Sequence, residues 1–79
     1  MNKNLLTLNE LPTGSVGKVK ELIADGSTRR RMLDLGLIHD TNVESLMKSP
    51  AGDPTAYEIR GAVIALRLEE ATQILVELI

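Results

Sequence analysis

Five turn signals divide this chain before any regular segment can grow long: Pro12-Thr13-Gly14, Asp25-Gly26, Gly36, the run Pro50-Ala51-Gly52-Asp53-Pro54, and Gly61. The pieces between them are mostly strand-sized. Residues 16–23 are rich in β-branched side chains but alternate imperfectly, with Val19 and Ile23 predicted on one face and Gly17 at a bulge or a close backbone approach. Residues 41–48 alternate, setting Val43, Ser45 and Met47 against Asn42, Glu44, Leu46 and Lys48. Residues 55–60 alternate again, with Tyr57 and Ile59 together. Residues 62–68 place Ile64, Leu66 and Leu68 on one face, and residues 73–79 form a last strand with Ile74, Val76 and Leu78 together. One segment reads differently: residues 29–35 predict a short helix, with Ser27 or Thr28 as N-cap and Gly36 as its left-handed stop. Leu5, Leu8 and Leu11, three apart, predict a helical turn or a short extended piece, and residues 69–72 a further helical turn. The whole is mainly β, about five closely spaced strands and one short inserted α-helix, the pattern of a small bent sheet or barrel.

With 79 residues the chain has room for one domain, residues 1–79. Hydrophobic residues are 43% of it, enough for a folded core. There is no Cys, so disulfides and thiolate metal sites are excluded and packing alone must hold the core. That core is aliphatic, because Tyr57 is the only aromatic residue. One ring cannot stack a run of bases, line a polyproline groove or cage a quaternary ammonium. Nine Lys and Arg against eleven Asp and Glu leave a formal charge of −2, the wrong balance for a nucleic-acid binder. The first ten residues carry no long apolar run, and no stretch approaches bilayer length, so no direct membrane insertion and a cytoplasmic location are expected.

Little in the chain carries catalytic chemistry. Gly14-Ser15-Val16-Gly17-Lys18 glances at a phosphate loop but has Pro12 where a Gly is needed and Val19 where Ser or Thr is needed. His39 is the only histidine; with Asp34 and Asp40 it could be drawn as a metal site, yet a tight site wants three or four ligands, so no metal and no cofactor are expected. No nucleophile stands beside a base, and no enzymatic activity is expected. Arg29-Arg30-Arg31 has three readings: a solvated helix face with Arg30 pairing Asp34 one turn on, a contact for an anion or acidic partner, or an arginine supplied in trans to a nucleotidase. In the first turn of the predicted helix these cations oppose the helix dipole.

The order of these pieces resembles the FeoA family, the small cytosolic component of bacterial ferrous iron uptake. The likeness runs from Leu8-x-x-Leu11-Pro12-x-Gly14 and Val19 through Arg31-Met32-Leu33-Asp34-Leu35-Gly36-Leu37. It continues in Gly52-Asp53-Pro54, Tyr57-x-Ile59-Arg60-Gly61, Ile64-Ala65-Leu66-Arg67 and Glu70-Ala71-x-x-Ile74. The chain departs from the family where His39-Asp40 replaces a common Pro-Gly turn. The resemblance implies an SH3-like β-barrel with an inserted helix. It also implies a non-enzymatic accessory that works by protein–protein contact with a FeoB-type ferrous iron permease, through the permease's cytosolic G domain or its membrane part.

On that reading the partner-binding residues are Arg29, Arg30, Arg31, Asp34 and His39, while Leu35, Gly36, Gly61, Leu66 and Ile74 serve the fold. The alternative is a small regulatory domain that senses ferrous iron through His39, Asp34 and Asp40. Weak homo-oligomerisation is a third expectation, resting on residues 73–79 as an edge strand apolar on both faces.

Overall fold

Two bulges explain most of the difference between the alternation in the sequence and the sheet the chain builds. In a computed structural model, which describes residues 5–79, the order is β1 (Leu5–Thr7), a 3-10 turn (Leu8–Glu10), β2 (Val16–Leu22), α1 (Gly26–Asp34), β3 (Asn42–Lys48), β4 (Thr55–Ile59), β5 (Ala62–Leu66), α2 (Leu68–Ala71) and β6 (Ile74–Leu78). The β2–β6 register shifts between Val19 and Glu21, and the β3–β4 register between Ser45 and Met47. An extra residue in a strand turns every later side chain to the opposite face. Val19 is therefore buried while Ile23, expected beside it, is exposed and Leu22 is buried instead. In the same way Val43 and Ser45 are buried, but Met47, expected with them, is 62% exposed.

The six strands form one antiparallel sheet in the order β1-β6-β2-β3-β4-β5. The expected five strands become six because the leucines at the start make both pieces at once, β1 and then the 3-10 turn. The expected barrel is an open one, since β1 and β5 end the strand order without pairing to each other. Strand β6 pairs with both β1 and β2, so the expectation that residues 73–79 form an edge is overturned. The self-pairing argued from that edge goes with it.

One cluster of buried residues takes side chains from β2 through β6 and from both helices, with Leu6 of β1 packed against it. A single sheet reaches one core from so many strands only by curling round it. Leu8, Met32, Leu37, Val43, Ile74 and Val76 are wholly buried, and Tyr57 is 2% exposed. Gly17 marks the close approach anticipated for it: a Cβ there would lie 3.1 Å from the Val76 side chain.

Helix α1 begins earlier than residues 29–35, with Asp25 rather than Ser27 or Thr28 at the N-cap position. Its end follows from Gly36, at φ +99°. The Gly36 N–H donates to the Leu33 carbonyl and the Leu37 N–H to the Met32 carbonyl, each at 3.0 Å. This paired 5→2 and 6→1 bonding, with the buried apolar residues Met32 and Leu37 at its first and sixth positions, is a Schellman stop. It turns the chain toward β2. There the Asp40 N–H donates to the Val19 carbonyl at 2.7 Å and the Val19 N–H to the Thr41 carbonyl at 2.8 Å.

A candidate protein-contact cleft between β2 and α1

The early start of α1 changes the meaning of its three arginines. Arg29 and Arg30 occupy the middle of the helix, clear of the N-terminal charge, and Arg31 its last turn, where a cation suits the dipole. They also point three ways, as consecutive helical residues must. Arg29 leans toward the sheet and its Nη1 donates to the Leu22 carbonyl at 3.1 Å. Arg31 reaches across to α2 and pairs with Glu70. Arg30 is exposed, and the expected pairing with Asp34 is not formed, both residues standing without an ion-pair partner among the described residues.

Of the five residues predicted for partner contact, Arg29 and His39 come together. They line a cleft of about 150 Å³ between β2 and α1, with Val19, Leu22, Leu33 and Leu37 supplying apolar wall. His39 Nδ1 lies 3.1 Å from the Lys20 carbonyl, close enough to donate to it when protonated at that nitrogen, and its Nε2 is 3.5 Å from Asp40 Oδ1. Lys20 Nζ in turn sits 2.9 Å from Asp40 Oδ1 and 3.6 Å from Glu77 Oε1. Hydrogen bonding to Lys20 holds the Asp40 carboxyl below its ordinary value, and the same bond raises the Lys20 ammonium above its own. Asp40 carries φ +69°. Asp tolerates this left-handed geometry better than most residues, which is how His39-Asp40 makes a turn without glycine.

The residues that sequence reasoning missed here are Lys20 and Leu33. Leu33 is 40% exposed, on the cleft side of the helix. Its spacing of four from Arg29 is the signal that places both on one face. Lys20 gave no signal of its own, because the bulge beside it is not legible in composition.

Among the described residues no three of His, Cys, Asp and Glu gather as metal ligands, so Asp34 does not join His39 and Asp40 in the trio drawn for a metal-sensing site. No described helix is long and apolar enough to cross a membrane.

A small open antiparallel sheet, curled on an aliphatic core with one helix inserted after its second strand, defines an SH3-like domain. The chain belongs to the FeoA family: the FeoA domain model matches residues 6–78. It is 34% identical over 74 residues to an Fe(2+) transport protein A/Fe(2+) transporter FeoB fusion protein of Porphyromonas gingivalis; that stretch is 94% of this chain and 9% of the relative's length. A FeoA-like protein of Clostridium acetobutylicum shares the structure with a TM-score of 0.89 at 37% identity, over 100% of this chain and 91% of the other. A FeoA of Stenotrophomonas maltophilia, solved with zinc and described as a procaryotic SH3 domain protein, superposes with a TM-score of 0.81 at 29% identity, over 91% and 89%. The family is one associated with ferrous iron transport.

Proposed function

We propose that this protein is a cytosolic accessory of ferrous iron uptake that works by contact with a FeoB-type permease and performs no chemistry of its own. The observation that carries the reading is the cleft between β2 and α1. It presents an arginine, a histidine and an exposed leucine on a floor of buried aliphatic side chains. Such a site combines an apolar anchor with a polar rim, the arrangement by which protein interfaces gain affinity and register. The fused relative supports the choice of partner, since joining the two chains secures a high effective concentration for a contact between them. Arg29, Leu33 and His39 are the proposed contact residues, with Arg30 and Asp34 at the rim and Arg31 holding α1 to α2.

The test is a pull-down against the soluble domain of the permease from the same organism, run separately in GTP and GDP. Binding that follows the nucleotide identifies a regulator; equal binding identifies a scaffold. Retention of full binding by an Arg29→Glu, Leu33→Asp double variant removes the cleft from the interface.

A further inference from the structure

Strand β5 is an unguarded edge. Edge strands are usually protected by a charge, a proline, a bulge or a covering element. The five residues of β5, Ala-Val-Ile-Ala-Leu, include neither charge nor proline, and their pairing with β4 has no bulge. The other edge, β1, spans three of the described residues, Leu5–Thr7. The two-residue turn Arg60-Gly61, with φ of +52° and +87°, is the tight kind that makes Ile59 and Ala62 the first bonded pair of the hairpin. Bonding to β4 then alternates through Ala62, Ile64 and Leu66. The N–H and C=O groups of Val63 and Ala65 are left directed away from the sheet, beside a Val63 side chain that is 65% exposed.

Two further features say what fits there. Ala56 and Ala65 floor an apolar depression of about 460 Å³, walled by Met47, Pro50 and Pro54, with Lys48 on its rim. A side chain on a strand laid beside Ala65 would lean over that depression. Charge is the second feature. Arg60 and Arg67 stand at the two ends of β5, and neither they nor Lys48 has an ion-pair partner among the described residues, in a chain whose net charge is −2. The carboxylates on this face are Glu58, one strand further in and opposite Val63, and Glu44, opposite Glu58 on the next strand; both share a depression with Arg60, at one end of β5 only.

We propose that β5 is a strand-addition site for an extended segment of a partner protein, apolar at its centre and acidic at both ends. The segment exchanges main-chain bonds with Val63 and Ala65, sets one apolar side chain over the Ala56–Ala65 depression and places carboxylates against Arg60 and Arg67. A second copy of this chain is a poor occupant. Antiparallel pairing of Val63 with Ala65 of another β5 sets Arg67 of each copy against the Arg60-Gly61 turn of the other. The site is separate from the cleft between β2 and α1 and does not depend on which protein that cleft binds.

The experiment is amide chemical-shift mapping on the whole chain with two synthetic peptides of alternating Val and Thr, one flanked by Glu, the other by Lys. The Glu-flanked peptide is expected to shift the amides of Val63, Ala65 and Ala56 and to bind about tenfold more tightly than the Lys-flanked one. Ala65→Pro, which removes an outward N–H without removing a bond to β4, is expected to abolish binding. Val63→Lys serves the same purpose should the proline variant fail to fold, and Arg67→Glu should narrow or reverse the preference between peptides. Shifts absent from β5, shifts confined to the α1 cleft, or equal affinity for both peptides overturn the proposal. So does a peptide-free dimer in sedimentation that Val63→Lys dissolves.

Discussion

Lys20 Nζ and Asp40 Oδ1 lie 2.9 Å apart, tying the middle of β2 to the turn that follows α1. Lys20 lines the cleft together with Arg29 and His39, and Asp40, at φ +69°, follows His39 in that turn. Both charges are exposed to solvent, so the pair acts more as a positional restraint than as a source of stability.

Its pH dependence has two limbs. Asp40 is lowered, so its contribution is present above the ordinary carboxylate value of 3.8 and is lost as pH falls through the lowered one. Lys20 is raised, so its contribution is present below 10.5 and is lost as pH rises through the raised value. An NMR titration of the Asp40 carboxyl is expected to give a midpoint below 3.8 in the parent chain and an upward return toward it in Lys20→Met. An unchanged midpoint would show that the two groups do not meet in solution.

Gly36→Ala is expected to destabilise the fold by about 1–2 kcal/mol, the cost of an L residue in left-handed geometry. The new Cβ would also stand 3.3 Å from Arg60 Cδ and 3.4 Å from Ile59 Cγ2. Urea unfolding measures it, and a loss below a few tenths of a kcal/mol would mean that the Schellman stop is not needed to end α1.

Met32→Ala removes a wholly buried side chain at the point where α1 meets the sheet. The expected loss is about 2–5 kcal/mol, much of it from the cavity left behind. Met47→Ala, on an exposed residue of the same type, is expected to cost less than about 0.5 kcal/mol. Similar losses at the two sites would contradict the register shift in β3.

Burial pushes the Tyr57 phenol above its ordinary value of 10.0, against a smaller opposing pull from a hydrogen bond with Thr55. The neutral ring is the buried form, so stability attributable to it is intact below pH 10.0 and falls as pH rises through the raised value. Ultraviolet titration should show one late-ionising phenol that becomes ordinary in urea. Ionisation at the ordinary value in the native state would place the hydroxyl in water.

The turns were the most legible part of the fold, because Gly36, Gly61 and the Pro50 to Pro54 run act through backbone restrictions that local sequence states directly. The helix was legible as a helix but not in its start, since Asp25 caps by position without a side-chain bond. The faces of β2 and β3 were legible only up to each bulge. Ile23 and Met47 follow the alternation in sequence and leave it in space, for a bulge is settled by pairing with a distant strand and not by the residues beside it. The site suffered from the same cause. Arg29 and His39 were singled out by residue type, but nothing local shows that Arg31 is committed to Glu70, or that Lys20 reaches Asp40. The place of β6 inside the sheet is likewise a property of topology.

That interior place has a consequence for how the protein is made. Leu5 pairs opposite Glu77, with nearly the whole chain between them, and β1 and β2 meet only through β6. During synthesis β3, β4 and β5 can assemble as a meander from neighbouring segments, while β1 must wait for the last strand to emerge. Pairings of such sequence separation form slowly. Until β6 arrives, the apolar flank of β2 is open to other nascent chains, and the interval between translating Leu22 and translating Ile74 is the time during which this small domain most needs protection.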